Sequence, residues 1–149
     1  MNPYLHLTYD FAPRVAKRLI ERIPESRWDE QPGPDRFTVR EAISHLADWE
    51  PIWVERFQKG LAEPGGRITV YDEGQLAIER NYAARNPLAE ADRYIEGRAK
   101  LAELVRGLSA DQLAITIDHP ERGLLTLDQM AGMIQGHDVY HLDHFSLFL

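Results

Sequence analysis

Six histidines are present, His6, His45, His119, His137, His141 and His144, and three of them fall within eight residues near the C-terminal end. His137 and His141 are spaced i, i+4, which on a helix stacks two imidazoles on one face with Cβ atoms about 5–6 Å apart. Rings so placed can point at one cation. The H-x-x-x-H spacing alone is a weak sign, since such pairs also arise by accident on surfaces and in cores. What strengthens it is direction: both histidines continue the apolar series Leu127, Met130, Ile134, and so face an interior where an unpartnered imidazole is costly. A third histidine, His45, lies on the wide apolar face of another helical segment, away from Arg40, Glu50 and Lys59. Three neutral imidazoles with a free fourth position are the donor set of a catalytic divalent-metal site, able to acidify water and admit substrate.

Apolar residues recur at helical spacing in four long segments and strand-like alternation is nearly absent, so the expected fold is all-α. In the first segment Phe11, Ala12, Val15, Ala16, Leu19, Ile20 and Ile23 form one stripe, and Pro24 ends it. Pro13 lies inside, and a helix that starts near Asn2 and kinks is preferred over one that starts near Asp10. A Pro-rich loop to Phe37 leads to Thr38-Val39-Arg40-Glu41, a capping box that opens the second helix, with Gly60 as its end. From Gly60 to Asn86 the periodicity fails, around a short extended piece from Ile68 to Tyr71 and a short helix from Gln75 to Tyr82. Asn86-Pro87 opens the third helix, ended by Gly107. Ser109-Ala110-Asp111-Gln112 caps a single turn before Ile115 to His119, and Thr126-Leu127-Asp128-Gln129 opens the last helix.

Four helices of about 20 residues, each ~30 Å long, make a four-helix bundle. The connection of about 27 residues between helices 2 and 3 can span ~90 Å. A crossover is therefore expected, with helices 2 and 3 parallel and helix 4 antiparallel to both. In that arrangement His45, ~9 Å from the start of helix 2, and the His137/His141 pair, ~13 Å from the end of helix 4, stand at nearly the same height.

The chain has 149 residues, no cysteine, and 17 Lys plus Arg against 24 Asp plus Glu, a net charge of −7. One domain over 1–149 is the natural reading. The negative charge disfavours nucleic acid and anionic membranes as partners. Without cysteine there is no disulfide framework, thiolate zinc site or Cys nucleophile. The N-terminus lacks a basic region followed by an apolar run, which points to a cytoplasmic protein.

The run Phe37-Thr38-Val39-Arg40-Glu41-Ala42-Ile43-Ser44-His45-Leu46-Ala47-Asp48-Trp49-Glu50 resembles the second helix of the DinB/YfiT-like superfamily, and Gly136-His137-Asp138-Val139-Tyr140-His141-Leu142 resembles its closing H-D-x-x-H helix. Gly97-Arg98-Ala99 and Gly123-Leu124-Leu125-Thr126-Leu127 are further landmarks, so the resemblance covers nearly the whole chain. It implies a crossover four-helix bundle, often a homodimer, that binds zinc, nickel or another divalent ion such as iron or manganese through His45, His137 and His141. It also implies a small-molecule substrate and, as the first reading, an S-transferase that uses a low-molecular-weight thiol. A metal-dependent hydrolase and a non-catalytic metal-binding stress-response module are the alternatives.

Neighbouring residues invite roles of their own. Asp48, i+3 from His45, is the candidate catalytic acid or base, placed to orient an imidazole or activate water. Asp138 points off the stripe and reads as a solvated or dimer-facing acid. Arg98, on the apolar face of helix 3, is assigned to a buried pair with Glu50 in preference to an anionic substrate. Trp49, Trp53 and Tyr140 read as core filling before pocket walls, and His6 and His119 as incidental. His144 is read as a non-ligand: residues 137, 141 and 144 span ~10 Å of helix axis, and the i, i+4 pair fills the donor shell first. It either hydrogen-bonds around the site or lies partly exposed at the helix end.

Overall fold

The computed structural model describes residues 2–149. Helix α1 (Pro3–Ile20) is capped by the Asn2 side chain and runs through Pro13, as the earlier of the two expected starts requires. Helix α2 (Val39–Ala62) begins at the Thr38/Glu41 capping box. After it come a short α3 (Glu73–Glu79), α4 (Pro87–Arg106), the single turn α5 (Ala110–Leu113), a two-stranded hairpin of β1 (Thr116–His119) and β2 (Gly123–Thr126), and α6 (Leu127–Ser146). The four long helices form the bundle.

Cross-helix partners fix its topology. Asp48 meets Arg93 and Glu50 meets Arg98, so residue number rises together in α2 and α4 and the two are parallel. His45 meets His137 while Gly60 packs on Leu127, so α6 runs antiparallel to α2. Asp10 pairs with Arg106 and Lys17 with Asp92, which makes α1 antiparallel to α4. The crossover predicted between the second and third long helices is thus present, with α3 lying on it.

Three local expectations need correction. Phe11 is 49% exposed, because the buried stripe of α1 is Leu5, Tyr9, Ala12, Ala16 and Ile20, one position away from the apolar count. Gly60 does not stop α2. It lies buried inside the helix, where a Cβ would come within 2.7 Å of Ile117 Cγ2 and 2.9 Å of Leu127 Cδ2. Its smallness lets the helix approach the hairpin, and that hairpin is itself unforeseen: β1 and β2 have four residues each, too few for a period-2 signal to stand out.

The core falls into two parts, one around Phe57, Leu101, Ile117, Leu127 and Met130 and the other around Ile43, Leu46, Tyr94 and Phe145. A charged layer is buried with them. Arg98, 1% exposed, donates from Nε and Nη2 to the Glu50 carboxylate at 2.9 and 2.8 Å. It also donates from Nη1 and Nη2 to Asp138 at 2.6 and 2.8 Å. The Tyr94 hydroxyl donates to Asp138 Oδ1 at 2.7 Å, and the guanidinium lies over the Tyr9 ring, 5.2 Å from its centroid. The Glu50 pairing is as expected, whereas Asp138 is a buried anchor, 2% exposed, and neither solvated nor free to face a partner. Burial pushes the Glu50 carboxyl up to about 7 against the pull of Arg98.

Two carboxylates thus share one guanidinium that reaches every long helix. Arg98→Met should cost about 3–5 kcal/mol, the range for stranding buried charge, read as a lower urea midpoint with an unchanged slope.

Candidate metal centre

Each histidine is set by a well-started helix. The Glu41 N–H donates to Thr38 Oγ1 at 3.1 Å and the Thr38 N–H to Glu41 Oε2 at 2.9 Å, which places His45 in the second turn of α2 on its buried side. The corresponding box, Thr126 with Gln129, starts α6, and 3.6 residues per turn then carry His137 and His141 to the same wall. One donor nitrogen from each of His45, His137 and His141 lies within 4.8 Å of the others. His45 Nε2 and His137 Nε2 are 2.9 Å apart. His45 and His141 are buried, and His137 is half-buried.

The electrostatics suit a cation. Burial pushes His45 down to about 3 and His137 to about 4, and His141 well below its ordinary value, so all three are neutral near pH 7. The Nδ1 atoms of all three are buried with no hydrogen-bond partner among the described residues. Converging imidazole lone pairs are costly to bury together, and a divalent ion accepting them removes the conflict. This donor set fits a divalent metal. Trp49 packs against His45 in a tilted arrangement at 4.5 Å between centroids and Trp53 meets His137 edge-on at 6.1 Å. Both fill the core, and both hold imidazole rings of the cluster in place.

A cavity of about 410 Å³, partly open to solvent, adjoins the cluster and is lined by Arg36, Glu73, Tyr140 and His144 around His137 and His141. Arg36 lies over the Tyr140 ring, 4.7 Å from its centroid. His144 is 1% exposed, with Nε2 unpartnered. Of its two expected placements, the partly exposed helix end is therefore not the one observed; Phe145 and Phe148 enclose its ring. It is outside the converging trio.

Asp48 is not brought to the histidine nitrogens. Its oxygens accept from Arg80 at 3.0 Å, Arg85 at 2.8 Å and Arg93 at 2.8 Å. Burial would raise its carboxyl, yet the three guanidinium groups hold it well below the ordinary range. So placed, it ties the crossover to α2. His6 lies apart from the cluster, whereas His119, read as incidental, is buried at the end of β1. Arg36 and Glu73 escaped notice because loop and crossover residues carry no periodic signal. Asp138 could have been found, being four residues after Ile134 and three before His141, the spacing of the buried face itself.

A parallel pair, a long crossover and three converging histidines define a helical-bundle protein with the donor set of a metal site. The chain belongs to the DinB superfamily, whose family model matches residues 8–145. It is 28% identical over 135 residues to OB0782 of Oceanobacillus iheyensis, covering 90% of this chain and 77% of that one. It is 25% identical over 135 residues to YfiT of Bacillus subtilis, covering 90% and 76%. Both relatives are named, provisionally, as metal-dependent hydrolases. The solved YfiT structure, described as an unusual four-helix bundle, superposes with a TM-score of 0.91 over 99% of this chain and 87% of that one at 22% identity. A mycothiol-dependent maleylpyruvate isomerase shares the fold with a TM-score of 0.76 and 13% identity, covering 95% of this chain and 59% of its own.

Replacing His45, His137 or His141 by Ala should each lower bound metal at least ~10-fold with helicity near wild type, whereas His144→Gln should retain it. Metal content by atomic emission and far-UV dichroism check this. The metal-stripped protein should be most stable above about pH 6.5, where unfolded imidazoles are neutral. It should weaken as pH falls through about 4, because His137 and His144 resist protonation only when folded. Urea midpoints at stepped pH measure this.

Proposed function

We propose that the protein is a divalent-metal-dependent enzyme acting on a small molecule, with His45, His137 and His141 as the metal ligands. One observation carries this reading: three neutral imidazoles have donor atoms within 4.8 Å of one another, and two of them, His137 and His141, line a cavity of about 410 Å³. Structural sites are closed by four protein ligands, whereas three ligands beside a cavity leave a position for chemistry. A divalent ion there, with zinc or nickel preferred over iron or manganese, supplies Lewis-acid charge that lowers the pKa of a small nucleophile.

The chain's own groups do the remaining work. Burial keeps the three imidazoles free of protons, so the donor set is ready at neutral pH. Arg36, held over Tyr140, places a cation at the cavity for an anionic substrate or leaving group. Glu73, solvent-exposed at the cavity wall with its carboxyl raised by partial desolvation, is a cavity carboxylate suited to take and return a proton.

That carboxylate favours water as the nucleophile, hence hydrolysis, and the names of the Oceanobacillus and Bacillus relatives agree. Thiol transfer is the second reading, favoured by the fold shared with the mycothiol-dependent isomerase; the thiol would come from outside, since the chain has no cysteine. A cytoplasmic setting and a homodimer belong to the same proposal, and exposed Tyr4, Leu7 and Phe11 on α1 give the dimer an apolar face.

The test is a panel of esters and amides, run beside a panel of low-molecular-weight thiols with a chromogenic electrophile, on protein reconstituted with each metal. Metal-dependent hydrolysis that falls at least ~100-fold in His141→Ala is expected. Thiol conjugation without hydrolysis would install the second reading, and inactivity of metal-loaded protein in both panels would leave a metal-binding module.

A further inference from the structure

A second, smaller cavity of about 100 Å³ lies against the metal centre, and His137 and Glu73 line both. Its remaining walls come from unrelated parts of the chain: Trp53 and Arg56 of α2, Tyr71 of the crossover, and His119 at the end of β1. Arg56 is 5% exposed and Trp53 3%.

The polar groups of this pocket's deep walls are donors. Arg56 Nη2 donates to the Thr69 carbonyl at 3.2 Å, but Arg56 Nε is buried with no acceptor among the described residues, and so is Trp53 Nε1. No carboxylate stands within ion-pair distance of Arg56 among the described residues. The guanidinium rests on the Trp53 ring, 5.0 Å from its centroid. The backbone N–H of Glu121 donates to His119 Nδ1 at 3.2 Å, which puts the proton of a neutral imidazole on Nε2 and makes that nitrogen a third donor. Glu55, Glu73 and Glu121 act on Arg56 only from beyond ion-pair distance; a buried guanidinium with no bonded counter-charge is expensive to keep, and unfilled donors add to the cost. A ligand that brings acceptor atoms and a negative charge meets all three demands.

The other charged groups do not reverse this preference. Arg122, Glu73 and Glu121 line the pocket too; the two glutamates are exposed and screened by water, and Arg122 offsets one of them. The charge that water screens least is that of Arg56. The volume narrows the choice further, since about 100 Å³ holds a carboxylate and its attached carbon but little more.

We propose that this cavity is a subsite for a carboxylate of the substrate, held by Arg56 with Trp53 Nε1 and His119 Nε2. The substrate is then a small carboxylic acid whose reacting group lies across the His137 wall at the metal centre. This rests on the catalytic reading above for the word substrate, but the binding of a carboxylate does not, and the two are separable by experiment.

Propionate is the probe, titrated into metal-stripped, ¹⁵N-labelled protein so that it cannot ligate a metal. The readout is the indole N–H resonances of Trp28, Trp49 and Trp53, the last assigned with Trp53→Phe. The expected result is a saturable downfield shift of the Trp53 signal with Trp28 unmoved, no such response to propionamide, and at least ~10-fold weaker binding in Arg56→Met. Arg56→Lys, which keeps the charge, should retain part of the affinity. If Arg56→Met does not fold, His119→Phe removes one donor at the cavity wall and should also weaken binding. No saturable shift, an equal response to propionamide, or unaltered binding in folded Arg56→Met would overturn the subsite. Propionate binding in a protein inactive in every metal-dependent assay would keep the subsite and remove the catalytic reading.

Discussion

A single buried cation organises this bundle. Arg98 makes five hydrogen bonds, to Glu50 on α2, Asp138 on α6 and the Tyr94 hydroxyl on its own helix, while Tyr9 of α1 packs against its face. Helices in a purely apolar core can rotate or slide by a fraction of a turn at modest cost, because dispersion is nondirectional. A guanidinium fork permits no such freedom, since its bonds require particular oxygens at particular positions. Burial pushes Glu50 upward in pKa, and the second carboxylate on the same cation, Asp138, adds to that push. Such a layer contributes less to stability than to uniqueness, the attested use of buried polar groups.

The histidine cluster inherits that register. Asp138 is the residue next to His137, so the bond from Arg98 to Asp138 sets the rotation of α6 about its axis and with it the direction of the two imidazoles. Glu50 is five residues from His45 on α2, and its two bonds to Arg98 set the height and rotation of that helix. The three histidines need not find one another by their own attraction, which for neutral rings is slight. They are delivered by a network one layer below. Gly97, beside Arg98, belongs to the same device: a Cβ there would lie 2.7 Å from Glu50 Cβ, so only glycine lets α4 come close enough for the guanidinium to bridge.

What could be read in the sequence follows from which signals are local. Capping boxes, Asn-Pro starts and 3.6-residue periodicity are written within a few residues, and so the four long helices and their starts were legible, as was the crossover, which follows from loop length alone. The grouping of His45 with His137 and His141 was also legible, because their heights follow from helix rise once the topology is fixed. Asp48 and Asp138 were misjudged for one reason: a carboxylate's role depends on the cations it faces, and those come from the crossover and from α4, distant in sequence. Gly60 and the hairpin were missed similarly. The glycine is a contact residue for strands too short to announce themselves, and only the folded packing shows that it is not a helix stop.

The parallel pairing of α2 and α4 explains where the cavities come from. Two neighbouring helices that run the same way need a connection the length of the bundle, and such a segment must find buried contacts along its path or remain an entropic burden. Here it is held at its far end by Arg80 and Arg85 on Asp48, and near its start by Ile68, which joins the core, and by the Arg67 bridge to β1. Between those anchors it passes the histidine end of the bundle, and Tyr71 and Glu73 become cavity walls because the chain has to cross there. An up-down-up-down bundle with short turns would have no covering segment at this height, and its histidines would open on bulk solvent. The long crossover is thus both the cost of the topology and the source of the partly enclosed space beside the imidazoles. Its shape depends on α3 and the hairpin, the elements with the weakest sequence signals, so the cluster could be read from the sequence while its cavities could not.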